Sequence, residues 1–278
     1  MAKQAKLDDF RVPFHDQKAA EEFRLDAFDP ADKPFSLDSK EAGKQRLEEL
    51  GARLDRLQEC LNTQASKRVL LVLQGMDTSG KDGTVRAVFR DISPLGVRIV
   101  AFKAPTPIER AHDFLWRIHQ QAPAAGELVV FNRSHYEDVL VPRVLGQIDA
   151  SECERRYQEI RQFEKYLADS GAVIIKCFLD ISKDEQRKRL QERIDNPEKH
   201  WKFDVSDIEA RRYWDDYQAA YRDALAATSA EHAPWYVIPA NSKTHRNLMI
   251  AELLLRALDA MDLQFPPPKP ELTGMIVK

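Results

Sequence analysis

The sequence predicts an α/β fold in which a five-stranded parallel sheet is flanked by helices. Three observations point there. Five short apolar runs recur along the chain, helix-length amphipathic stretches separate them, and a glycine-rich loop stands between the first run and the helix after it. The size agrees, because 278 residues that are 43% hydrophobic and 31% charged supply enough apolar material for one sizeable core.

Taken in order, residues 1–39 carry Pro13, Pro30 and Pro34 among charged side chains with no sustained period, and read as an irregular arm over the domain surface. Over 40–66, Leu47, Leu50, Leu54, Leu57 and Leu61 recur at steps of three and four, which makes one helix face apolar. Strands are expected at 69–73, 97–102, 128–131, 173–179 and 235–238. The helices between them fall near 82–92, 107–121, 136–169 with a break at 146–151, 182–195, 206–228 and 242–262. These are the lengths that crossovers between parallel strands need. Residues 264–278 begin with Phe265-Pro-Pro-Pro-Lys-Pro, which suits neither a helix nor a central strand and reads as a surface tail. Residues 40–263 are left as the folded unit.

Composition excludes several classes. No apolar run is long enough to span a membrane, and the N-terminus turns acidic at once without an apolar leader, so a cytoplasmic protein is expected. Cys60, Cys153 and Cys177 are odd in number and lack paired spacing, which argues against a disulfide framework or a zinc site. The net charge of -3 is uneven: residues 67–143 carry 11 Lys and Arg against 8 Asp and Glu, and residues 176–213 carry 10 against 9. That suits an anionic substrate in a cleft and falls short of the basic stripe of a duplex-binding protein.

The run from Val69 to Thr84 is the most informative. Gly75, Gly80 and Lys81 match the G-x-x-x-x-G-K phosphate loop, with an apolar strand before it and a helix after it. Glycines let the backbone wrap a phosphate with its N–H groups inward, the helix offers its positive end, and the lysine adds a charge. Gly75, Ser79, Gly80, Lys81, Asp82, Gly83 and Thr84 are therefore the expected phosphate-binding set. Two residues depart from the consensus. Asp82 stands where a hydroxyl residue is usual, and Asp77 places a carboxylate inside the loop. A carboxylate beside phosphate calls for a cation between them or for proton handling, unless it only stabilises the turn.

The third strand ends in Asn132-Arg133-Ser134-His135-Tyr136-Glu137-Asp138. In a doubly wound sheet these side chains face the phosphate loop. Asn132 replaces the acid that usually ends this strand, so Asp77, Glu137 or Asp138 must supply a carboxylate to any magnesium. Arg133 suits a forked contact to phosphate oxygens, and His135, without companions at metal spacing, reads as a structural residue. Residues 183–205 form a cationic helix broken at Pro197, with Arg189, Arg193, Lys199 and Lys202 placed as a lid over phosphates.

Together, Gln74-Gly-Met-Asp77-Thr-Ser-Gly-Lys81-Asp82-Gly83-Thr84, Phe131-Asn-Arg133-Ser-His-Tyr-Glu137-Asp138-Val, His119-Gln-Gln and Asp195-Asn-Pro-Glu-Lys199-His-Trp-Lys202 resemble the polyphosphate kinase 2 family, from about Gly43 to Lys243. The Tyr-Glu-Asp ending is similar to the class III branch. The resemblance implies a thymidylate-kinase-like P-loop kinase fold with a helical lid. It also implies phosphoryl transfer with Mg2+, or Mn2+, between inorganic polyphosphate and nucleoside mono- and diphosphates (AMP, ADP, GMP, GDP), by a homo-oligomer of two or four chains. By the same carry-over, Asp77, Lys81, Asn132, Arg133 and Glu137 would be catalytic, with Asp77 and Glu137 on the metal. Arg189, Arg193, Lys199 and Lys202 would meet the polyphosphate. The alternatives are an ATP-dependent nucleoside monophosphate kinase and a non-catalytic nucleotide-binding switch.

Overall fold

A computed structural model describes residues 7–277. Five all-parallel strands, β1 (Arg68–Gln74), β2 (Val97–Ala101), β3 (Leu128–Asn132), β4 (Ala172–Asp180) and β5 (Trp235–Pro239), form one sheet in the order β2-β3-β1-β4-β5. Valine, isoleucine and leucine dominate β1, β3 and β4 and are buried on both faces, as strands sandwiched between helical layers must be.

The main helices are α1 (Lys40–Gln64), α2 (Lys81–Val88), α3 (Glu137–Val144), α4 (Ala150–Asp169), α5 (Lys183–Asp195), α6 (Val205–Arg212), α7 (Trp214–Thr228) and α8 (Lys243–Asp259). One layer packs α1, α2 and α8 together, and the other packs α3, α4 and α7. The phosphate loop leaves β1 between β3 and β4, where the strand order reverses, so the C-terminal strand ends open a crevice around it. The three cysteines are free and buried.

Two expected helices differ. The stretch 107–121 holds only single turns, Pro107–Arg110 and Trp116–His119. Between them the Asp113 carboxylate accepts the Leu115 N–H at 3.0 Å, a local bond that competes with helix continuation. The stretch 206–228 is broken at Tyr213 into α6 and α7. The lid segment 183–205 comprises α5, a 3-10 stretch Pro197–Lys202 whose Asn196 side chain accepts the Glu198 N–H, and the start of α6.

The first six residues of the arm lie outside the described residues. The rest is irregular apart from a helical end at Leu7–Asp8 and single turns at Lys18–Glu21 and Leu25–Ala27, and it does more than lie on the surface. Val12 N–H donates to Trp235 O and Val237 N–H to Phe10 O, both at 2.9 Å, so the arm runs antiparallel along the free edge of β5. Leu7, Phe10, Val12, Leu25 and Phe35 are buried in the common core. Among the described residues no helix is long and apolar enough to cross a membrane.

Candidate active site

Backbone geometry forces the phosphate loop into shape. Gly75 and Gly80 have φ of 151° and 105°, and Thr78 sits at 64°. A Cβ on Gly75 would meet Leu179 O at 2.6 Å, and one on Gly80 would meet Arg246 Nη1 at 1.8 Å, so glycine is required twice over at each. Lys81 opens α2 and is buried, its Nζ donating to Gly75 O at 2.6 Å and Met76 O at 3.3 Å. Burial pushes the ammonium down from its usual range, against the opposing pull of Asp77, Glu137 and Asp82.

The end of β3 reaches the loop at two points. Asn132 Nδ2 donates to Asp82 Oδ1 at 2.7 Å, tying the strand to the first turn of α2. Arg133, held at a φ of 62°, pairs with Asp77 Oδ1 at 3.1 Å, with both side chains partly open to solvent. Glu137 stands just behind. With the Gln74 amide oriented to satisfy both ends, its nitrogen donates to Glu137 Oε1 and its oxygen accepts from Ser134, each at 3.1 Å. Burial raises the Glu137 carboxyl, although Arg133 and Lys81 favour its charge. Tyr217 and Tyr221 on α7 are within electrostatic reach of Glu137 and Asp77, and burial raises both phenols.

Below this turn lies a buried polar network, in which only His135 Nδ1 is left without a partner among the described residues. Glu164 of α4 accepts from Lys176 Nζ at 2.6 Å and from the Tyr136 hydroxyl at 2.9 Å, and contacts His135 Nε2 at 3.1 Å, all in the interior. Lys176 also donates to Thr228 O and the Tyr136 hydroxyl at 2.8 Å. Burial lowers its ammonium to about 8. His135 is thus a structural residue, as expected.

The loop, the β3 end and the lid border one cleft of about 510 Å³. Asp77, Gly80, Lys81, Asp82, Gly83, Asn132 and Arg133 line it on one side, and Arg193, Lys199, Lys202 and Trp201 line it on the other. Arg193 is anchored to Lys202 O at 2.9 Å and to Asp207, Lys199 is 3.9 Å from Glu192, and Lys202 lies over Trp201. Of the other cations in residues 86–117, Lys103 lines the cleft, whereas Arg90 pairs with Glu48 and Asp91, and Arg117 is buried against Asp138 and Lys103 O.

Two expected roles are redrawn. Arg189 borders the cleft but is 6% exposed: Nη1 donates to Thr78 O and Ser79 O, Nη2 to Ala240 O and Asn241 O, and Nε to Glu185. With its donors spent on backbone carbonyls, it braces the loop instead of standing free in the lid. Thr84 is fully buried and turned to Asn247 of α8, one helical turn past the loop amides. Gly75 and Ser79 frame the loop from beneath. Arg246, which carried no sequence signal, is a second brace, donating to Ser79 O at 3.0 Å, and burial beside Arg189 lowers it to about 9.

The chain matches known proteins over most of its length. The family profile for polyphosphate kinase 2 matches residues 37–266. The AMP/ADP-polyphosphate phosphotransferase of Meiothermus ruber is 50% identical over 256 residues, 92% of this chain and 96% of that protein. The ADP-polyphosphate phosphotransferase of Rhodopseudomonas palustris is 41% identical over 249 residues, 85% of this chain and 86% of its own. The crystal structure of a polyphosphate kinase 2 from Arthrobacter aurescens superimposes with a TM-score of 0.88 at 47% identity, covering 94% of this chain and 91% of that one.

Proposed function

Because the chain belongs to the polyphosphate kinase 2 family and is a phosphotransferase, we propose that it moves a phosphoryl group between inorganic polyphosphate and nucleoside mono- and diphosphates: AMP and ADP, with GMP and GDP beside them. The observation that carries this reading is the single cleft into which the loop, the Asn132-Arg133 turn and the lid cations converge. The Tyr136-Glu137-Asp138 ending and the name of the Meiothermus relative support acceptance of both phosphorylation states, as in the class III branch.

Phosphoryl transfer asks little covalent chemistry of a protein, so positioning and charge neutralisation carry the rate. Lys81, Arg133 and the loop amides hold the phosphates on either side of the transferred group. Arg193, Lys199 and Lys202 follow the polyphosphate from the lid, while Arg189 and Arg246 keep the loop carbonyls turned outward. Asp77 and Glu137 fit Mg2+ or Mn2+. Thr78 Oγ1 and Ser79 Oγ are buried without a partner in the loop, and among the described residues no three His, Cys, Asp or Glu side chains form a cage of their own. Such a donor set suits an ion bound through one or two carboxylates and the substrate's phosphates. When bound, it would offset charge building on the transferred phosphoryl group.

Residues 40–263 serve as the catalytic unit, with the lid at about 183–205, the arm at 1–39 and the tail at 264–278, in a cytoplasmic homo-oligomer of two or four chains. Incubating the purified protein with AMP, polyphosphate and Mg2+, without ATP, should yield ADP and then ATP. Turnover of AMP only when ATP is supplied would instead identify an ATP-dependent monophosphate kinase.

A further inference from the structure

A second cavity, of about 1140 Å³, lies at the C-terminal end of β4, walled by the arm over 20–30 and by α7. It shares no lining residue with the phosphate cleft. Asp180, the last residue of β4, lines it and is only 5% exposed. Among the described residues its carboxylate has neither a hydrogen bond nor an ion pair, and burial together with nearby Asp29 raises it to about 7. In the same lining, Gln218 Nε2 is buried and also without a partner.

A buried carboxylate with no partner costs several kcal/mol unless a ligand or a proton answers it. The lining narrows the ligand. Six carboxylates face three cations, and Arg24 and Arg222 are already paired with Asp26 and Asp223. That excess repels phosphates. Phe23, Leu25, Phe28 and Trp214 give apolar and aromatic walls, which suit an alkyl cation better than a hydrated metal ion. Among the described residues no cage of three metal-ligating side chains is present to hold such an ion.

We propose that this cavity binds a small organic cation, an aliphatic ammonium or guanidinium group, whose charged head pairs with Asp180 and whose body packs against Phe28 and Trp214. The site lies at the root of the lid, because Ser182 caps α5 and the Asp180 carbonyl accepts the Ala240 N–H at 2.7 Å.

The test titrates 1,4-diaminobutane into the substrate-free full-length protein at pH 8, read by calorimetry and thermal denaturation. The expected result is saturable binding at one site, weakened about tenfold or more in Asp180→Asn and in Ala219→Leu, which fills the cavity from α7. Binding that never saturates, that KCl reproduces at equal ionic strength, or that survives in the folded variants overturns the proposal. Should Asp180→Asn fail to fold, Ala219→Leu decides alone.

Discussion

Lys81 donates to two loop carbonyls, so trading them for phosphate oxygens needs only a small swing of Nζ. Lys81→Ala is expected to lower kcat by about 10²–10³ while the circular dichroism spectrum stays native. Near-native turnover would refute the phosphate assignment. Glu137 lies within electrostatic reach of Asp77 and Arg133 and accepts a hydrogen bond from the Gln74 amide. On the proposed reading, a carboxylate there would recruit a divalent cation where a monophosphate acceptor lacks its outer phosphate, which an amide could not do. Glu137→Asn should cut kcat/KM for AMP about tenfold more than for ADP, and an unchanged ratio would reduce Glu137 to a charge at the start of α3. At this scale the sequence exposed residues in a motif and hid those without one. Lys81 stood out by the phosphate-loop spacing, and Asp77, Asn132 and Arg133 by the family motifs they belong to; the structure brings all four to one cleft. Arg246, Tyr217 and Tyr221 lie in amphipathic helices where nothing local marks them, and only the packing of α7 and α8 brings them to the site.

The phosphate loop is gripped from outside by α5 through Arg189 and by α8 through Arg246. Gly80 lies directly beneath the second grip. Gly80→Ala combines a positive-φ penalty with a collision at the Arg246 guanidinium, and should cost about 2–4 kcal/mol and at least tenfold in kcat. Thermal denaturation and steady-state rates measure the two losses, and a variant with native melting would show that Arg246 gives way freely. Strands were legible at this scale because β-branched runs bounded by turns leave few alternatives. The stretch 107–121 was not, because the bond from the Leu115 N–H to the Asp113 carboxylate outweighs a helical pattern that periodicity alone suggests.

Across the molecule, cations from five separate segments border the phosphate cleft, so a long anion would engage many of them at once while a mononucleotide would meet few. KM for polyphosphate should rise about tenfold or more between low and high salt, and KM for AMP by less than about threefold. Equal sensitivity would remove the case for an extended channel. Stability carries a second signature of the whole fold. Asp180 keeps its proton up to about 7 when folded, against an ordinary 3.8 when unfolded. Between those values the native state binds the extra proton, so this residue's contribution is full below about pH 4 and is lost as pH rises through 7. Asp180→Asn should match the parent at pH 4 and exceed it by about 1–3 kcal/mol at pH 8, measured by denaturant titration at both. A constant difference across that range would contradict the assignment.

The arm that runs along β5 also bears on how the chain is made. Phe10 and Val12 leave the ribosome well before the strand they pair with, Trp235–Pro239. At roughly 5–20 residues per second, the nascent arm waits on the order of ten seconds or more for its partner. Meanwhile Leu7, Phe10 and Val12 travel as exposed apolar side chains. The sheet can therefore nucleate on β1 and β3 during synthesis, but its β5 edge is covered only when residues 10–12 meet a strand made far downstream. A nascent chain stalled before residue 235 should leave residues 7–12 open to protease, and the completed chain should protect them.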